Sequence, residues 1–162
     1  MTENRMSFDK KIKYDDLTPK QKELFNFQKI AATLADFGYN CIKLADDWQG
    51  ADFLAYHNDG TTTLKVQLKS RLTINEKYRG KGIWVAFPHK REWYLIEHDR
   101  LVDKVGTHTV WLGSSSWREK LGYHSTSINP ELLVSLKENK LGPVYGSVLI
   151  EDEEISGPAS VD

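Results

Sequence analysis

From Gly50 to Arg71 apolar and polar side chains alternate on either side of a short run of turn residues. Ala51, Phe53 and Ala55 interleave with Asp52, Leu54 and Tyr56. Asn58-Asp59-Gly60 breaks the run, and Leu64, Val66 and Leu68 then interleave with Lys65, Gln67 and Lys69. Because strand side chains alternate with period two, this pattern predicts a β-hairpin with one wholly apolar face. The turn sets the register. A two-residue loop at Asp59-Gly60, or a four-residue loop, pairs Ala55 with Leu64, Phe53 with Val66 and Ala51 with Leu68. The other face then pairs Tyr56 with Thr63, Leu54 with Lys65 and Asp52 with Gln67, with Lys69 one step further along. A three-residue loop would slip the register and set the apolar face against the polar one. Opposed Cβ atoms lie roughly 5 Å apart and same-face neighbours on one strand about 6.8 Å apart, so Asp52, Gln67 and Lys69 converge on one small volume.

The same reading extends outward from the hairpin. Thr18-Pro19-Lys20-Gln21 is a helix start, with Thr18 as N-cap, Pro19 at the first helical position and Gln21 placed to close a capping box. The helix is expected to run to about Phe37, with Gly38 as its left-handed cap. Leu24, Phe27, Ile30, Ala31, Leu34 and Phe37 form its apolar stripe. Glu23 lies on that stripe, where its carboxylate either serves a site on the sheet or favours the positive helix end. Residues 39–44 read as a first strand and 45–49 as an exposed loop leading into the hairpin. After the hairpin, 75–82 is a loop dense in Lys, Arg and Gly, and 82–87 and 92–97 form a second hairpin around Pro88-His89-Lys90-Arg91. Trp84 and Trp93 on those strands are assigned to the core. A short helix is expected over 99–104, short strands over 107–112 and 123–128, a loop over 113–116, and a helix starting at Asn129-Pro130-Glu131.

Composition narrows the class. A chain of 162 residues suits one domain, divided here into a polar N-terminal arm at 1–17, a single domain at 18–150 and an acidic tail at 151–162. Its one cysteine, Cys41, gives no disulfide framework and reads as a small core residue of a protein in a reducing compartment. No apolar run is long enough to span a bilayer, so a cytoplasmic protein without membrane contact is expected. The formal net charge is −1, but the charge is unevenly placed. Five of the 23 acidic side chains fall in 151–162, which holds no Lys or Arg, so residues 1–150 carry 22 basic against 18 acidic groups. Lys65, Lys69, Arg71, Lys77, Arg79, Lys81, Lys90 and Arg91 face only Glu76 over that stretch. Such a patch is the footprint of a polyanion partner contacted through Lys65, Arg71, Lys77, Arg79, Lys81, Lys90 and Arg91, or else a solvated charged face.

The chemistry that suits the polar face is metal-assisted phosphodiester hydrolysis. Mg2+, or Mn2+ in its place, takes hard oxygen ligands and keeps several waters. Asp52 supplies a carboxylate, the Gln67 amide oxygen or the Leu68 backbone carbonyl a second ligand, and Glu23 is a further candidate. Lys69 could orient a water beside the scissile phosphate and favour its deprotonated form. Gln67 is neutral where a second carboxylate would hold the cation more firmly. Other chemistries lack their signatures. His57, His89, His98, His108 and His124 have no partner at zinc-ligand spacing and read as loop or surface residues, and no phosphate-binding Gly-rich loop is present.

Helix, strand, Gly50-Ala51-Asp52, turn and Val66-Gln67-Leu68-Lys69 together resemble the PD-(D/E)xK nuclease superfamily over roughly residues 18–105. The wording is nearest to the Gln-x-Lys variant of its Mrr-like and homing endonuclease branch. Ala51 stands where the family proline would be, and Gln67 where its second acid would be. The resemblance implies a restriction-endonuclease-like α/β fold, a central mixed sheet flanked by helices. It also implies a Mg2+-dependent endonuclease acting on double-stranded DNA, with Asp52, Gln67 and Lys69 catalytic. Cutting two antiparallel strands takes two active sites, so a homo-oligomer, dimer or tetramer, is expected. A Holliday-junction resolvase or repair nuclease of the same fold, or a binding module that has lost catalysis, are the alternatives.

Overall fold

The computed structural model describes residues 7–144. It contains the expected mixed sheet flanked by helices. Six strands lie in the order β1 (Tyr39–Trp48), β2 (Ala51–His57), β3 (Thr63–Leu68), β5 (Ile83–His89), β6 (Glu92–Glu97) and β8 (Lys140–Pro143). All neighbours are antiparallel except β3 and β5, which run parallel. A separate two-stranded ribbon joins β4 (Leu72–Asn75) to β7 (Gly122–Ser125).

The alternation read from the hairpin sorts its side chains onto two layers. On one face Phe53, Ala55, Leu64 and Val66 meet Ile30 and Leu34 of α1 (Pro19–Ala35), with Ala86, Trp93 and Leu95 from the neighbouring strands. On the other, Val85, Phe87, Tyr94 and Ile96 pack on Leu101, Val102 and Val105 of α2 (His98–His108). Leu72 and Ile74 of β4 and Leu132 of α4 (Pro130–Ser135) complete that second layer. The apolar residues of β5 and β6 therefore serve both layers, as a central sheet covered on two sides requires.

Four of the six expected pairs form, Ala55 opposing Leu64, Phe53 opposing Val66, Leu54 opposing Lys65 and Tyr56 opposing Thr63. The expected pairing of Ala51 with Leu68 does not, and Ala51 packs instead with Leu72, Ile74 and Tyr78 in the second layer. Of the two loop lengths that allow this register, the four-residue loop is used, since the His57 N–H donates to Thr62 O at 2.8 Å. Asp59 holds that loop itself, accepting from the Thr61 and Thr62 amides and the Thr62 hydroxyl at 2.7–2.9 Å, an Asx turn.

Helix α1 begins as expected, with both bonds of the Thr18–Gln21 capping box formed. Its buried face is rotated from the expected stripe. Asn26, Ile30, Thr33 and Leu34 are buried, while Leu24 and Phe37 stay 45% and 48% exposed. The N-terminal segment accounts for the shift, because Tyr14 is buried against the helix and its hydroxyl accepts from Asn26 Nδ2 at 2.8 Å. Gly38 takes the left-handed conformation, and a Cβ there would meet His57 Nε2 at 2.8 Å.

Four expectations are corrected. The loop at 45–49 is mostly strand: β1 continues to Trp48 through an irregularity after Lys43, which absorbs extra residues as a bulge does. Residues 107–112 are not a strand. Helix α2 runs to His108, because the Thr107 and Thr109 hydroxyls bond back to the Asp103 and Val105 carbonyls at 2.9 and 2.7 Å, and a 3-10 turn follows at Trp111–Gly113. Residues 113–116 are not wholly a loop, since α3 (Ser115–Lys120) starts within them with Ser114 as N-cap. The second hairpin turns on Lys90 and Arg91 alone, both at positive φ, leaving Pro88 and His89 paired in the strand. Cys41 is half-buried, and burial pushes its thiol up to about 11. The acidic stretch 151–162 lies outside the described residues.

Candidate active site

Beyond Phe53 and Val66 the two strands stop pairing through their backbones. There the Asp52 side chain takes over: Oδ2 accepts from the Leu68 backbone N–H and from Gln67 Nε2, each at 2.8 Å. The expected opposition of Asp52 and Gln67 is thus a side-chain hydrogen bond. Gln67 is buried, 8% exposed, and its amide nitrogen is directed at Asp52. Its oxygen therefore points the other way.

Lys69 lies just past the end of β3, and its backbone stays on the sheet through an N–H donated to Ala86 O at 2.9 Å. Its ammonium lies 5.8 Å from the ring centroid of Tyr78. Burial pushes the Asp52 carboxyl up. The Leu68 hydrogen bond and the Lys69 and Lys43 charges pull it back, while Glu23 adds to the rise. Burial pushes the Lys69 ammonium down, against the pull of Asp52 and with a push from Lys77. Desolvation outweighs mutual attraction for both groups, which makes the pair a candidate functional site.

Glu23 reaches across to the sheet as expected, but its partner there is Lys43 at 2.7 Å, with Lys20 of its own helix at 3.3 Å. The Lys43 bond holds its carboxyl below the ordinary glutamate range. Among the described residues no group of three or more His, Cys, Asp or Glu side chains is placed to hold a metal ion.

The expected DNA contacts fall into two groups. Lys65, Arg71, Lys77, Arg79 and Lys81 belong to the site strand and the segment after it, whereas Lys90 and Arg91 form the turn at the end of β5. Gln67 sits opposite Val85, so Lys90 is five residues further along, about 17 Å at strand spacing. Lys65 is already engaged, donating from Nζ to Lys81 O at 2.6 Å and to Gln49 Oε1 at 3.4 Å. Arg79 pairs with Glu76 at 3.2 Å.

Three further residues at the site escape the sequence pattern. Tyr78, only 2% exposed, walls the site, and a Cβ on Gly50 would meet its ring at 3.0 Å. Burial and the charges of Asp52 and Asp47 push its phenol up to about 12. Asp47 accepts from Gly50 N at 2.7 Å and its charge acts on Lys69. His98 is 1% exposed, which corrects its reading as a loop or surface residue. It is buried because the 3-10 turn Glu76–Tyr78 closes over it, bringing its ring 5.5 Å from that of Tyr78.

No family model and no curated protein matches the chain. Among solved structures it is similar to the bacterial homing endonuclease I-Ssp6803I, at 14% identity and TM-score 0.44, covering 76% of this chain and 87% of that one. It is also similar to Hjc, a Holliday junction resolvase from the archaeal hyperthermophile Archaeoglobus fulgidus, at 19% identity and TM-score 0.36, covering 46% of this chain and 76% of that one. No helix among the described residues is long and apolar enough to cross a membrane.

Proposed function

We propose that this protein is a metal-dependent DNA endonuclease that hydrolyses phosphodiester bonds at the open end of the β2–β3 hairpin. The observation that carries the reading is the Asp52–Gln67 hydrogen bond across the hairpin, beside a half-buried Lys69 whose charge acts on Asp52. The Asp52 carboxylate and the Leu68 carbonyl would hold Mg2+ or Mn2+, while Gln67, with its amide nitrogen rather than its oxygen facing Asp52, would orient that carboxylate. The donor set fits a hard cation: the Leu68 N–H points at Asp52, and in extended backbone the carbonyl of a residue opens to the same edge as its N–H. Such a cation supplies polarisation of the phosphate and a more acidic water. Asp52 also fixes Gln67 and the Leu68 backbone. Lys69 presents its ammonium to the phosphate oxygens and orients the attacking water. That water's oxygen bonds to phosphorus as one ester P–O bond breaks, and the departing oxygen takes a proton. Glu23, locked to Lys43, contributes negative charge near the site.

The Lys- and Arg-bearing segment over 76–82 lies along the DNA backbone, and two or four copies of the chain bring two sites to a duplex. Incubation with plasmid and branched DNA in Mg2+ tests this, with Asp52→Ala and Lys69→Ala in parallel. The wild type is expected to cut, and each variant to lose at least about 100-fold in rate. The choice of substrate separates a site-specific endonuclease from a junction resolvase. One observation favours a second reading, a nucleic-acid-binding module without catalysis: Gln67 brings no charge to a site where the described residues form no acidic cluster. Tight binding with no cleavage under any divalent metal would establish that reading instead.

A further inference from the structure

The segment between β4 and β5 carries Lys77, Arg79 and Lys81, and besides its own turn bonds and the Glu76 N–H donated to Leu121 O at 2.7 Å it is held by residues of α2. At its start the Asn75 N–H donates to His98 Nε2 at 3.1 Å. An imidazole nitrogen that accepts is unprotonated, so the proton of neutral His98 sits on Nδ1, 3.1 Å from Asp99 Oδ1. The other oxygen of Asp99 accepts from the Gly80 N–H at 3.0 Å. Two adjacent residues of α2 thus grip the segment at Asn75 and at Gly80. Between those grips lies Tyr78, its ring edge-on to His98 and 5.8 Å from the Lys69 ammonium.

We propose that His98 and Asp99 are positioning residues for the nuclease site, fixing Tyr78 against Lys69 and presenting Lys77, Arg79 and Lys81 to the DNA backbone. The inference rests on the nuclease reading above. It assigns the pair no contact with DNA or with the reacting atoms. A carboxylate-oriented histidine that fixes other residues acts through geometry, and losing such an outer contact costs roughly tenfold where the analogous contact supports a metal ligand. The grip also depends on protonation. A second proton on Nε2 would set donor against donor at Asn75. The charges around His98 are Asp99 on its own helix and Arg79 and Glu76 on the facing segment, and burial holds its pKa below the ordinary histidine value. Release is therefore expected on the acid side of that value.

The test compares wild type with Asp99→Ala, His98→Leu and His98→Gln. Asp99 is 39% exposed, so its removal leaves the core intact even if His98→Leu folds poorly. Gln places an acceptor near the position of Nε2 and does not titrate. Asp99→Ala is expected to raise KM for DNA roughly tenfold with a smaller fall in kcat, and to speed hydrogen exchange at the Asn75 and Gly80 amides while leaving Leu68 protected. His98→Gln is expected to restore activity and to lack the part of the acid limb that wild type owes to His98. Unchanged KM and unchanged exchange in Asp99→Ala would overturn the proposal, as would faster exchange without any loss of DNA affinity. If the wild type cuts nothing, the nuclease reading fails by itself, and exchange together with DNA affinity still decides whether the pair positions the segment.

Discussion

On the α1 side of the β2–β3 hairpin, Phe53, Ala55 and Val66 are fully buried among aliphatic and aromatic neighbours. On the other side the same two strands carry Asp52, Gln67 and Lys65, covered in part by Tyr78 and the basic segment. The first face stabilises the fold and holds the register. The second spends stability, because two ionisable groups, Asp52 and Lys69, are both pushed toward their neutral forms by burial. A slip of one residue would exchange the two sets, so the apolar face is what holds Asp52 opposite Gln67.

Substitutions on the two faces should separate these roles. Phe53→Ala, which empties a fully buried site beside Phe27, is expected to cost about 3–5 kcal/mol in urea unfolding. Gly50→Ala comes next: at φ +88° and 3.0 Å from the Tyr78 ring, it should cost about 1–3 kcal/mol and displace Tyr78 from Lys69. An unchanged Tm would mean that Tyr78 is not pressed on Gly50. Lys65→Met is the mildest, leaving stability within about 0.5 kcal/mol. It should lower the slope of log affinity for DNA against log salt by about one if Lys65 meets a phosphate. An unchanged slope would leave Lys65 as a brace for Lys81 only.

The same contrast explains what could be read before the structure. Hairpin register, capping box and the Asp59 turn are local chemistry, with partners a few residues away, and periodicity exposes them. The Asp52–Leu68 bond lies just past the last backbone pair, where alternation no longer describes the chain. Leu72–Asn75 had no assigned element because its partner strand is 122–125, far along the chain. His98 reads as a loop or surface residue, and its burial is decided by Tyr78 and Asn75 arriving from another segment. Residues 107–112 read as a strand, and the bonds of the Thr107 and Thr109 hydroxyls to helix carbonyls reverse that. In each case the missing information was a long-range partner or a side chain bonding to backbone.

The most direct test measures stability and cleavage on one variant, Asp52→Asn. Its amide oxygen can still accept from Leu68 and Gln67, and it buries no charge, so it should be more stable than wild type by about 1 kcal/mol at neutral pH. Because burial raises the folded-state pKa of Asp52, the wild-type penalty is fully present above that pKa. It fades as pH falls through that value toward the unfolded-state pKa, and the gap should close with it. The same variant should cut plasmid DNA at least about 100-fold more slowly than wild type. A variant that is both more stable and inactive is the predicted result. Cleavage at the wild-type rate, or a loss of stability at neutral pH, would contradict the assignment of this face as the active site.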